Sequence, residues 1–202
     1  IFDSKGTEAY RRYQLARLDE PLAKGVAFPF VSRLLRLNEL YPRQVPIEVV
    51  VLSRSSADIG QRFFRSCKHY GLDISRGAFL SGQSPYPYIE AFNASVFLSA
   101  HRSDVVNAVR AGLPAGLIMP TAAVDDETDH ELRIAFDFDG VLADDKSEQV
   151  YQEKKSLDLF HQHETANVDE PHEPGPLKDL FTKIGFFQKL EMQRQAADPA
   201  YK

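Results

Sequence analysis

Short apolar runs recur along this chain, and stretches long enough for a helix separate several of them. That alternation constrains its fold more than any other feature. The runs are Ile47-Glu-Val-Val-Val-Leu52, Gly77-Ala-Phe-Leu80, Ser95-Val-Phe-Leu98, Gly116-Leu-Ile-Met119 and the segment 132–138. Each is too short for a helix, and the first is rich in β-branched residues, so they predict buried strands. Helical spacing follows the first run over 57–70 and the third over 104–110, where Gly112 closes the helix. Parallel strands must be joined by crossovers, and those crossovers cover the sheet. The expectation is an α/β chain of Rossmann-like parallel sheets with helices on both faces.

Two helices are predicted before the first strand. One covers 6–18, anchored by Tyr10, Tyr13 and Leu15 and ended by Pro21; the other covers 27–41, with Pro29 in its first turn and Pro42 as its stop. After the last strand come a helix over 146–160, a polar loop with Pro and His over 161–176, and a final helix over 177–195. The acidic stretch Val124-Asp-Asp-Glu-Thr-Asp-His130 reads as a solvated linker. It divides the chain into a first Rossmann-like unit, 1–121, a linker, 122–130, and a second domain, 131–202.

The 202 residues carry a net charge of −5, and their Lys and Arg are dispersed, which argues against a nucleic-acid polymer as partner. No apolar run is long enough to span a bilayer, so no membrane association is expected. Cys67 is the single cysteine, so an intrachain disulfide cannot form and a reducing, cytoplasmic setting fits best. The chain starts at Ile1-Phe-Asp and stops beyond the helix-like Leu190-Glu-Met-Gln-Arg-Gln. Both ends are expected to continue in a longer protein.

The chemistry concentrates in Ile134-Ala-Phe-Asp-Phe-Asp-Gly-Val-Leu142. Ligands bind at the carboxyl ends of parallel strands, so carboxylates there meet substrate. Strand residues two apart share a face, and a glycine then turns the chain, which brings Asp137 and Asp139 toward one point. A carboxylate that attacks phosphorus splits phosphomonoester hydrolysis into two easier steps. Asp137 is the candidate nucleophile. Asp139 is the candidate acid that protonates the leaving oxygen and then accepts a proton from water. Repulsion between carboxylate and phosphate calls for a hard cation, so Mg2+ is the expected cofactor, with Asp137 and Asp139 among its ligands. The plain alternative for an arbitrary Asp-x-Asp is helix capping. The apolar run before this one and the Gly-Val after it favour catalysis.

Asp137-Phe-Asp-Gly-Val141 resembles the first motif of the haloacid dehalogenase-like superfamily. A wider set resembles the type I cytosolic 5′-nucleotidase family: 132–148, Leu157-Asp-Leu-Phe-His-Gln-His-Glu164, Gly175-Pro-Leu-Lys178, Glu8-Ala-Tyr-Arg-Arg-Tyr-Gln14, Gly25-Val-Ala-Phe-Pro-Phe-Val31 and Phe97-Leu-Ser-Ala100. The resemblance implies a haloacid dehalogenase-like fold whose helical cap elements span 145–195. It further implies magnesium-dependent hydrolysis of nucleoside 5′-monophosphates such as AMP or a deoxynucleotide. A general small-metabolite phosphatase and a non-catalytic nucleotide-binding module are the alternatives, and a homo-oligomer is compatible with the sequence.

The superfamily's remaining motifs, a Ser or Thr, a Lys and an acidic pair, are not visible after Asp145. Upstream, Leu52-Ser-Arg-Ser-Ser56, Phe79-Leu-Ser-Gly-Gln-Ser-Pro85 and Val96-Phe-Leu-Ser-Ala-His-Arg-Ser-Asp104 resemble those motifs without their key groups. The first unit therefore resembles a decayed copy of the same domain, and by itself the chain is expected to be an incomplete enzyme. Ser53, Arg54 and Ser81 are either scaffold or substrate-binding residues. His161 with His163 reads as a solvated helix end or loop rather than a metal pair, and Tyr86 with Tyr88 reads as loop packing rather than a base-stacking platform.

Overall fold

The computed structural model describes residues 2–144, 152, 155–198 and 200. Most of the helix expected over 146–160 and the acids Asp145 and Glu148 lie outside the described residues.

The elements run in the order α1 (Phe2–Leu15), α2 (Phe28–Leu40), β1 (Val50–Ser53), α3 (Ala57–His69), β2 (Arg76–Phe79), two single 3-10 turns (Tyr86–Tyr88 and Glu90–Phe92), β3 (Phe97–Ser99), α4 (Arg102–Arg110), β4 (Ala115–Leu117), α5 (Leu157–Ala166) and α6 (Lys178–Ala197). α1 is kinked at Gly6, whose φ of 79° is outside the helical range. α2 begins with Pro in its first turn, where the missing N–H costs nothing. α3 carries Asp58 in its first turn and Lys68 and His69 in its last, matching the helix dipole at both ends.

The strands form two small sheets. β1 and β2 pair in parallel with Val50 opposite Arg76 and Ser53 opposite Phe79, and α3 is the crossover. β3 pairs with β4. There the Phe97 amide donates to Pro114 O at 2.9 Å and the Ile118 amide to Ser99 O at 2.9 Å, so both strands advance in the same direction. Helices and small parallel sheets of this kind are an α/β architecture.

The expected strand over 132–138 is corrected by the structure. Residues 131–137 have no regular secondary structure, and Ile134 and Phe138 are 37% and 52% exposed. A strand needs a neighbouring backbone to satisfy its ladder, and neither small sheet supplies one to this segment. The polar loop expected from 161 is also displaced, because α5 continues through Ala166.

The chain divides into two compact units. The first comprises Ile1–Ala94, Leu98–Asn107 and Leu117–Arg133; the second comprises Ser95–Phe97, Ala108–Gly116 and Ile134–Lys202. In the first, Leu35, Cys67 and Ile74 form a buried cluster, with Val31, Ile47, Val49, Phe63 and Leu72 packed against it. Burial pushes the Cys67 thiol's pKa up, as expected of a packed rather than reactive cysteine. Phe79 lies over α3 beside Phe63 and Phe64, an approach open only because residue 60 is glycine. Buried Arg62 donates to Gln14 Oε1 at 2.7 Å and Glu20 O at 2.8 Å, which ties the segment after α1 onto α3.

In the second unit, residues 141–144 and 173–177 form a short antiparallel ribbon. Ala143 bridges Pro174, the Asp144 amide donates to Glu173 O at 2.8 Å, and the Gly175 amide donates to Leu142 O at 2.9 Å. Ala143 is one of the buried apolar residues there.

Candidate active site

The acidic turn of the second unit is built by its backbone. Phe138 O accepts the amides of Val141, Leu142 and Ala143 at 3.3, 3.0 and 3.1 Å, which closes a tight turn directly after Asp137. Gly140 sits inside it with φ of 70°, a left-handed conformation that a side chain would strain. The glycine's expected role in turning the chain is met even though the strand before it is not formed. Asp137 is exposed, and one of its carboxylate oxygens accepts the Phe138 amide at 2.9 Å. Asp139 is half-buried on the turn itself. Phe138, between them, sets its ring edge-on to His172 at 5.6 Å, so the 171–177 segment supports the turn through both backbone and side chains.

That support depends on Gly175. A Cβ there would stand 2.5 Å from both Val141 O and Ala143 O, so only glycine lets the two backbones approach this closely. Nothing in Gly175-Pro-Leu-Lys178 by itself assigns the glycine this role. The Gly-Pro pair after a polar loop was the available signal.

In the first unit, the other candidates gather at the carboxyl ends of β1 and β2. Ser53 ends β1; its Oγ accepts the Ser55 amide at 3.1 Å and its carbonyl accepts the Leu80 amide at 2.9 Å. Ser81 is exposed, has φ of 49°, and donates its amide to Ser55 O at 3.1 Å. Arg54 is held by a residue the sequence did not single out as a partner. Its Nε and Nη2 reach the two carboxylate oxygens of Asp104 at 3.0 and 2.5 Å, and its Nη1 reaches Gly82 O at 3.3 Å.

Asp104 is 1% exposed and also accepts the Ser84 hydroxyl. The Arg54 guanidinium above all, with help from Ser84, holds its carboxyl below the usual carboxylate range against the opposing effect of burial. Arg54 and Asp104 are fifty positions apart, so no local pattern could have paired them. Ser53, Arg54 and Ser81 thus share one loop cluster, whereas Asp137 and Asp139 belong to the other unit.

Tyr86 and Tyr88 fall in a 3-10 turn that leads to the buried Ile89, and His161 lies in α5. Among the described residues, no group of three His, Cys, Asp or Glu side chains is placed to hold a metal ion. The Asp137 carboxylate with the backbone carbonyl of Asp139 two residues on still fits the usual protein share of a magnesium site, in which one or two carboxylates are joined by waters and substrate phosphate, and it leaves the Asp139 carboxyl free for proton transfer. Among the described residues, no helix is long and apolar enough to cross a membrane.

A family model described as 5′-nucleotidase matches residues 1–202. The chain is 34% identical over 194 residues to human cytosolic 5′-nucleotidase 1B, a match that covers 94% of this chain and 32% of that relative. The chain therefore spans about a third of the length of this curated relative. No solved structure matches it.

Proposed function

Because the chain belongs to the 5′-nucleotidase family, we infer that it carries the nucleophile-bearing portion of a haloacid dehalogenase-like, magnesium-dependent 5′-nucleotidase acting on AMP-like or deoxynucleoside 5′-monophosphates. The observation that carries this reading is the Asp137 to Ala143 turn. It holds an exposed carboxylate, a second carboxylate two residues on, and a glycine with positive φ between that second acid and the ribbon. Residues 1–121 form a decayed copy of the domain, 122–130 link it onward, and 131–202 begin the catalytic domain with its cap elements. The setting is the cytoplasm, in keeping with the relative's name.

In the first half-reaction, a carboxylate oxygen of Asp137 bonds to phosphorus as the bond to the nucleoside 5′-oxygen breaks. Asp139 donates its proton to that departing oxygen. In the second, water attacks phosphorus, Asp139 takes the water's proton, and the acyl-phosphate bond breaks to restore Asp137 and release phosphate. Asp137 and Asp139 would hold a magnesium ion, which offsets negative charge on the phosphate when bound. The hydrogen bond donated by the Phe138 amide orients the Asp137 carboxylate, and the ribbon behind the turn keeps Asp139 in register with it.

Nucleotide binding without turnover is the second reading. It is favoured by the finding that, among the described residues, no group of three His, Cys, Asp or Glu side chains is placed to hold a metal ion. One assay separates the two. Phosphate release from a panel of nucleoside 5′-monophosphates, with and without magnesium, is measured in the full reading frame carrying these residues, beside Asp137→Asn. Magnesium-dependent release that the substitution abolishes supports the nucleotidase. Nucleotide binding with no release, or release that survives Asp137→Asn, rejects it.

A further inference from the structure

In the first unit the acidic segment of the chain lies against a basic and aromatic surface. A cavity of about 190 Å³ remains between them, lined by Lys24, Phe28, Arg33, Arg36 and Tyr70 on one side and by Asp125, Glu127 and Asp129 on the other. Phe28 and Tyr70 meet edge to face at 5.2 Å, and the Lys24 ammonium stands 5.0 and 5.7 Å from their rings. This arrangement fixes the cation over an apolar floor.

The acidic segment is gripped as a peptide rather than as a bare charge. Arg33 Nη2 pairs with the Asp125 carboxylate at 2.8 Å, and the same guanidinium donates to the main-chain carbonyls of Asp126 at 3.2 Å and Asp129 at 2.8 Å. Its Nε adds a further bond to Asp129 O at 3.0 Å. Lys24 takes Glu127 at 2.5 Å. Arg36 lines the cavity, is exposed, and makes no ion pair among the described residues, so one cation is left over for a visiting acid. The acids themselves stay largely exposed, and exposed ion pairs hold only weakly.

We propose that Lys24, Phe28, Arg33, Arg36 and Tyr70 form a docking groove for an acidic, extended peptide of a partner protein, and that residues 125–129 are its tethered internal competitor. Charge complementarity and recognition of main-chain carbonyls select a peptide over an inorganic anion. Tethering gives the internal segment a high effective concentration, so it masks the groove although each of its contacts is weak. A partner's apparent affinity is divided by the fraction of molecules in which the groove is free. Neutralising the segment should therefore expose an affinity that the wild-type chain hides.

The probe is a fluorescent peptide with the sequence of residues 124–130, titrated by anisotropy against the 202-residue chain. Asp125→Asn/Glu127→Gln/Asp129→Asn is expected to bind it roughly tenfold more tightly than wild type, an effect that fades as salt is raised. Adding Arg33→Lys, which keeps the charge but loses the fork that reaches the carbonyls, should abolish the gain. The single change Glu127→Gln, which leaves the Arg33 contacts intact, is expected to give a smaller gain in the same direction and serves if the triple variant does not fold. Equal affinity of wild type and the neutralised chains overturns the proposal, as does binding indifferent to Arg33→Lys. Displacement of the peptide by tripolyphosphate at equimolar concentration would overturn it too, because the groove would then read charge alone.

Discussion

Gly175→Ala tests whether the ribbon behind the acidic turn positions the reacting carboxylates. The new methyl would lie 2.5 Å from Val141 O, 2.5 Å from Ala143 O and 2.8 Å from Val141 C. A relaxed carbon–oxygen contact needs roughly 3.3 Å or more, so the overlap approaches an ångström. Both partners are backbone atoms, and no side-chain rotation can relieve it. Either residues 141–144 withdraw, or the bonds from the Asp144, Gly175 and Leu177 amides, now 2.8, 2.9 and 3.2 Å long, break.

At about 1 kcal/mol net for each bond, the loss is up to about 3 kcal/mol. The lower entropy of an unfolded Ala chain offsets roughly 0.4–1 kcal/mol of that. A net destabilisation of about 2 kcal/mol is expected in denaturant titrations, with the slope unchanged. Gly185→Ala is the control. It lies in α6 with nothing near its would-be Cβ, and should stabilise by roughly 0.5–1 kcal/mol. In the full reading frame, a displacement of about 1 Å should lower kcat about a hundredfold. If Gly175→Ala matches wild type in stability, and the Asp144 and Leu177 amides keep their exchange protection, the two backbones do not approach each other at residue 175 as closely as described and the positioning role of that glycine fails.

Asp137→Asn should abolish phosphate release while leaving the thermal unfolding curve in place, because the amide is nearly isosteric but a poor nucleophile. Asp139→Asn is expected to slow AMP hydrolysis by at least about 10²-fold, and wild-type rates would show that another group is the acid. Asp104→Ala should cost about 2–3 kcal/mol at pH 7, since it removes the buried partner of Arg54 and Ser84. Asp104's carboxyl is held below its ordinary value, so this stabilisation is complete above about pH 4 and disappears as pH falls through the lowered folded value. Urea titrations of both chains should accordingly converge in acid, and a gap that widened there would contradict the ion pair. Gly60→Ala places a methyl 2.7 Å from the Phe79 ring and should destabilise by about 1 kcal/mol, despite the better helix propensity of Ala. A stabilised variant would mean that the ring moves freely.

What the sequence determined by itself was local. The bounds of α2, α3 and α4 came close because their causes lie within one turn: Pro29 opens α2 and Pro42 follows its end, Gly112 with φ of 75° closes α4, and α3 runs over nearly the residues its spacing predicts. The acidic motif was legible for the same reason, since Asp137, Asp139 and the turning Gly140 are neighbours in the chain. Tertiary structure decided whatever needs a partner from far away. The apolar run over 132–138 also reads as a strand by composition, yet of the two runs β1 alone has a neighbouring backbone to complete its ladder among the described residues. That Asp104 meets the Arg54 guanidinium, and that Arg33 takes the carbonyls of the acidic segment, follows only from folding. Gly175 acquires its importance only because residues 141–143 lie against it. Helix hydrogen bonds close within four residues and can be read from a window of sequence, whereas ladders, buried ion pairs and close backbone approaches join distant segments, and only the folded chain chooses among their partners.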